Sequence, residues 1–135
     1  MLSDWLEIDG QAYDVSVMSI KESTNILYSA NTGRTISRGA RMVLDPLGTF
    51  IGHRIKVKRK GNKVREYDRL YNNLIIPRYN GMRVKAVHNQ KTIEYEAYVS
   101  AVEREVQRID DVGKVVYWKE MEINIVPMEA QVIPE

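Results

Sequence analysis

Between residues 53 and 70 the chain reads HRIKVKRKGNKVREYDRL, and the spacing of its apolar residues changes once, at Gly61. Before the glycine, Ile55 and Val57 alternate with Arg54, Lys56, Lys58 and Lys60, the two-residue repeat that sends successive strand side chains to opposite sides. After it, Tyr67, Leu70, Tyr71, Leu74 and Ile75 recur at three-and-four spacing, which places them on one helical face. Pro77 ends that run, because it lacks an N–H and restricts the residue before it. A basic strand feeding one amphipathic helix is therefore expected, and the rest of the chain returns to the two-residue period.

The segment WLEIDGQAYDVSV reads as two strands joined at Asp9-Gly10, with Tyr13, Val15 and Val17 on a shared face. Around Met18 and Ile20 the apolar phase slips to even positions, which calls for a bulge or an end of pairing. SANTGRTISRGA follows as an exposed, mobile loop, with Arg34, Arg38 and Arg41 in or next to it. Asp45-Pro46 and Gly48 mark a turn or sharp bend between two extended pieces. Beyond the helix, Asn80-Gly81 signals a turn, Met82, Val84 and Ala86 alternate with basic residues, and HNQKT reverses the chain before Ile93, Tyr95 and Ala97. A second phase shift near Tyr98 and Val99 suggests a long strand from Thr92 with a bulge, although SAVEREVQRI alone could form a short helix. Asp110, Asp111 and Gly113 form a turn, and Tyr117, Met121, Ile123 and Ile125 then share one side. Connections of hairpin length cannot make parallel crossovers. The expected fold is mainly β with one α-helix: an antiparallel β-roll or small β-barrel covered by the amphipathic helix.

At 135 residues the chain has room for one core, so residues 1–126 are read as a single β-rich domain and 127–135, PMEAQVIPE with its flanking prolines, as an extended tail. Without cysteine there is no disulfide framework or thiol chemistry. No stretch approaches the roughly 20 apolar residues of a membrane-spanning helix, and the N-terminus lacks the form of a secretory signal. His53 and His88 have no third ligand at metal spacing and are better read as packing residues. Serine lacks a nucleophile elbow and partners, Asp110-Asp111 is read as a turn, and GTFIGHR has neither phosphate-loop nor dinucleotide spacing. No catalytic residue, metal site or cofactor is expected from these patterns.

Arg54, Lys56, Lys58 and Lys60 could follow a phosphate backbone, which would make the chain a nucleic-acid-binding small β-barrel. Lysine on an edge strand, guarding it against unwanted pairing, accounts for the same pattern and is the preferred reading. The net charge of +2 gives no general pull towards nucleic acid, and no aromatic residue interleaves with these cations. Tyr67 and Tyr71 belong to the helix stripe, where core packing explains them better than base stacking.

Three pieces of sequence, LEIDG, TGRTISRGARM, and YDRLYNNL together with KTIEYEAYVSAVEREV, resemble a family of small proteins encoded in the tail modules of phages and prophages of Gram-positive bacteria. The resemblance runs from Leu6 to Val126. It implies a non-enzymatic virion component of the tail tube, distal tail or baseplate region, built as a β-roll or barrel and assembled in the bacterial cytoplasm. Its implied partners are other tail proteins and copies of itself in a ring, with no cofactor, membrane or nucleic acid. Arg34, Arg38 and Arg41 are then the expected subunit-interface residues, with Arg34 and Arg38 facing acidic groups of a neighbour near Glu94, Glu96, Glu103 or Glu105.

Overall fold

The computed structural model describes residues 6–36 and 39–135. In chain order the elements are β1 (Glu7–Ile8), β2 (Val15–Tyr28), β3 (Gly33–Arg34), β4 (Met42–Val43), β5 (Pro46–Arg59), α1 (Val64–Leu74), β6 (Met82–His88), β7 (Lys91–Glu103), β8 (Val106–Asp110), β9 (Val115–Trp118) and β10 (Met121–Pro127). Six strands form one sheet in the order β1-β6-β7-β10-β5-β2, and the pairs β3-β4 and β8-β9 stand apart as small hairpins. All pairings are antiparallel. The fold is thus mainly β with one helix, as its periodicity predicts, and the sheet stays open rather than closing into a barrel.

The alternation decides which face is covered. Ile55 and Val57 of β5, Met121, Ile123 and Ile125 of β10, Val84 and Ala86 of β6, and Tyr95 and Ala97 of β7 all point one way and are buried. Tyr67, Leu70 and Leu74 of α1 close over them, with Leu6 and Ile8 at the rim. The Tyr67 hydroxyl donates to the carbonyl of Lys119 at 2.8 Å, so this buried phenol is satisfied, and desolvation pushes its pKa up to about 12. Glu66 in the first helical turn complements the helix dipole and pairs with Arg69. At the other end the Arg78 guanidinium donates to the carbonyl of Asn73 at 2.9 Å, satisfying an acceptor that the helix leaves unpaired.

Several local expectations hold. Met18 is the extra residue where the β2–β5 register shifts, and Ser100 is the extra residue where Asn124 and Ile125 of β10 meet Ala101 and Val99 of β7. The second bulge lies inside one strand, so SAVEREVQRI is extended and not helical.

Other expectations need correction. The basic strand is not an edge: β5 pairs with β10 on one side and β2 on the other. Asp9-Gly10 does turn the chain, with Ile8 and Gln11 exchanging backbone hydrogen bonds of 3.0 and 3.1 Å, but the pairing stops there. β1 continues onto β6 while β2 crosses to β5, so the two segments occupy opposite edges of the sheet. Ile75 falls at the helix C-cap, where the last turn swings it out to 51% exposure. Asp45-Pro46 falls where the chain enters β5, and Gly48, with a φ of +140°, lies inside that strand next to a register shift that leaves Leu47 as an extra residue opposite β2. The run Tyr117 to Ile125 is broken at Lys119 and Glu120, so Tyr117 belongs to the β8–β9 hairpin and Trp118 is the residue that packs against the core.

Residues 128–132 run back along β5. Thr49 donates its N–H to Val132 O at 2.8 Å, and the side-chain amide of Gln131 both accepts from Ile51 N at 2.9 Å and donates to Ile51 O at 2.7 Å. This primary amide imitates a neighbouring strand where β10 no longer reaches, and so satisfies the backbone of buried Ile51.

Candidate functional site

β10 pairs with β5 only from His53 to Val57, whereas β2 follows β5 as far as Tyr28 and Pro46. Residues 22–28 and 46–52 therefore extend as a two-stranded arm, with the C-terminal segment along part of one edge and the outer edge of β2 unpaired among the described residues. Apart from Gly48, Ile51 and Gly52, which are buried, this two-stranded ribbon has no layer to cover its side chains. Its apolar side chains are correspondingly open: Ile26 is 59% exposed and Leu44 57%, with Leu27, Tyr28 and Leu47 also exposed. Sequence reading missed these residues, though Ile26, Leu27 and Tyr28 in succession carried a signal. Three adjacent apolar residues on a strand cannot all face one core.

The segment expected to be a mobile loop is built as the arm's tip. β3 and β4 pair through Gly33↔Val43 and Arg34↔Met42, and Thr35 donates its N–H to Arg41 O at 2.9 Å. Below them, the Ser29 hydroxyl donates to the Asp45 carboxylate at 2.5 Å, and Asp45 N donates to Thr32 Oγ1 at 2.8 Å. Arg34 and Arg41 are exposed, with Arg34 Nη1 donating to Ala40 O at 3.4 Å. Ile36 beside them is fully exposed. Arg38 lies outside the described residues.

At the arm's root a polar cluster fastens β2 to the sheet. His53 is buried, with Nε2 3.0 Å from Val87 O and Nδ1 2.6 Å from the Tyr95 hydroxyl. A carbonyl only accepts, so Nε2 carries the proton and Nδ1 accepts from Tyr95. Glu22, the first arm residue of β2, accepts from His88 Nδ1 at 2.7 Å and lies 3.6 Å from His53 Nε2. Burial lowers the pKa of His53 below its ordinary 6.5, an effect that outweighs the Val87 carbonyl and the Glu22 carboxylate. Below about pH 6.5 the unfolded chain takes up a proton that folded His53 resists. Stability should then be full above that pH and fall on acidification, by at most about 1.4 kcal/mol per pH unit for this one proton. Thermal melts at pH 7.5 and 5 check this: the drop in Tm should shrink in His53→Gln, and an equal drop in that variant would remove His53 as its source.

Of the basic residues on β5, Arg54, Lys56 and Lys58 lie on the sheet face away from the helix. Lys56 is 3.3 Å from Glu122, its cross-strand neighbour, and Lys60 is 3.4 Å from Asp14. Asp14 also accepts from Lys63, which with Lys60 holds its carboxyl below the usual range. Two of the four cations are therefore already engaged by carboxylates. Arg54 and Lys58 carry no ion pair among the described residues, and Lys21 stands opposite Arg54.

At the end of β5 away from the arm, β7, β9 and β10 meet the helix around a groove of about 740 Å³. Its wall is aromatic: the Arg104 guanidinium lies 3.5 Å from the Tyr71 ring and 3.8 Å from that of Trp118, and it is 3.2 Å from Asp68. Glu103, Glu105, Glu120 and Glu122 line the rest, with Lys119 3.6 Å from Glu105. Glu103 and Glu122 sit directly opposite one another across β7 and β10, a like-charge pair that works against the sheet. Among the described residues no group of histidine, aspartate or glutamate side chains converges on a position that could hold a metal ion, and no helix is long and apolar enough to cross a membrane.

The fold and these surfaces define a class: an open antiparallel sheet with one covering helix and a projecting apolar arm. No protein-family model matches the chain, and no curated protein matches it.

Proposed function

We propose that the chain is a non-enzymatic structural component of a phage or phage-derived tail, in the tail tube, distal tail or baseplate region, where copies join one another and other tail proteins in a ring. The virion tail, assembled in the bacterial cytoplasm, is its proposed location. One observation carries this reading beside the sequence resemblance: the β2–β5 arm presents Ile26, Leu27, Leu44 and Leu47 to solvent and ends in the arginine-bearing tip. Exposed apolar side chains gathered on both faces of one projecting, well-formed element mark a contact with another protein. The unpaired edge of β2 offers further backbone groups for the same purpose.

The test exploits the hydrogen bond from Ser29 N to Asp45 O at 2.9 Å, which marks a rung where the arm can be closed early. Replacing residues 30–44 by Asn-Gly gives the two-residue turn that suits a twisted hairpin. The shortened chain should melt within a few degrees of the parent and fail to enter tail particles. Normal incorporation would make the tip a mere connector.

The other reading is a nucleic-acid-binding β-protein, and the observation favouring it is the trio Lys21, Arg54 and Lys58 on the open sheet face, which carry no ion pair among the described residues. It requires affinity to fall with salt, with a log–log slope of about −3 for three phosphate contacts. A slope that steep, lost in Arg54→Ala/Lys58→Ala, would favour this reading over the tail component.

A further inference from the structure

We infer that the arm tip of one copy seats in the acid-lined groove of the next copy, with Arg34 and Arg41 against Glu103 and Glu120. This rests on the ring-forming part of the proposed function and names the surface that receives the arm.

Geometry makes the contact intermolecular. The groove's Glu122 pairs with Lys56, whereas the tip begins beyond Pro46, so ten residues of β5 separate them, about 33 Å at the rise of an extended strand. The arm points away from its own groove. A contact between two different surfaces of identical chains is heterologous, and repeating it gives a ring or an open array.

Charge supplies the choice of occupant. Glu105 and Glu122 have lysine partners, but Glu103 and Glu120 have none among the described residues, and Glu103 faces Glu122 across the sheet. An arriving guanidinium would relieve that like-charge pair and form charge-assisted hydrogen bonds with it. The tip presents the matching set: two exposed arginines, Arg34 and Arg41, beside the fully exposed Ile36. A partner rich in carboxylates would be repelled.

The chain contains no cysteine, so introduced thiols report contacts without background. Ile36→Cys marks the tip of one chain and Lys119→Cys marks the groove of another. A short bis-maleimide added to the concentrated mixture should join the two variants in preference to either with itself. Arg34→Glu/Arg41→Glu in the tip-marked chain should lower that yield about tenfold or more, as should Glu103→Lys/Glu120→Lys in the groove-marked chain, because facing like charges are costly at an interface. Combining the two reversed chains should restore the yield. No mixed product above the self-linked background, or a yield indifferent to both reversals, would overturn the inference. So would a groove thiol that links only to a different tail protein. If shortening the arm blocks incorporation while groove reversal changes neither cross-linking nor incorporation, the groove assignment fails and the tail reading stands. If the cross-links behave as expected in a chain that never enters particles, the groove assignment stands and the tail reading fails.

Discussion

Leu70→Ala should destabilise the protein by about 2 to 5 kcal/mol, the range found when a buried leucine is truncated without full collapse of the site. Leu70 is 1% exposed and lies between Tyr67 and Leu74 on the stripe that closes over β5 and β7. The contrast is Ile75→Ala. Ile75 belongs to the same sequence pattern but stands at the helix C-cap, half exposed, so its truncation should change stability by less than about 0.5 kcal/mol. Urea unfolding of both variants separates the cases. Equal losses would mean that the helix extends through Ile75 and packs along its full apolar stripe.

Gly81→Ala should cost about 2 to 5 kcal/mol, although it adds only one methyl group. Gly81 has a φ of +69°, a left-handed conformation that costs an L-residue about 1 to 2 kcal/mol. A Cβ there would also lie well under 3.0 Å from the backbone carbonyl oxygen of Ala97, which the β6–β7 ladder holds in place. Overpacking of that kind adds about 1 to 3 kcal/mol. Gly61 isolates the first contribution: its φ is +57°, but a Cβ would meet nothing within 4 Å. Gly61→Ala should therefore cost only the conformational part. Equal melting temperatures for the two variants would show that the close approach to Ala97 is not rigid.

The contrast between Leu70 and Ile75 also marks how far a sequence of this kind can be read. The change of period at Gly61 located the helix, and the phase slips near Met18 and Val99 located the bulges at Met18 and Ser100, because each is a local event written in adjacent side chains. Neighbourhood is different. Alternation tells a strand which residues face the core and says nothing about which strand lies beside it, so the lysines of β5 suggested an edge when Glu122 of β10 and Ser19 of β2 lie on either side of Lys56. The hairpin at Asp9-Gly10 failed for the same reason: the turn is local, but the choice of β6 for β1 and β5 for β2 is made across the whole sheet.

The candidate surfaces divide in the same way. Arg34 and Arg41 were visible as cations in a glycine-containing segment, and their placement on a paired hairpin depends on Thr32 and Asp45, thirteen residues apart. The groove could not be read at all. Glu103 and Glu120 are separated by the whole β8–β9 hairpin and meet only because β7 and β10 pair. The exposed arm residues were legible in principle, since Ile26, Leu27 and Tyr28 break the alternation that a core-facing strand would keep.

Averaged electron-microscope images of tail particles from a bacterium producing the chain test the central claim most directly. This fold should appear as a ring at one axial level, with each β2–β5 arm reaching the neighbouring subunit. Particles lacking the chain, with all of it recovered as free monomer from the cell, would contradict it.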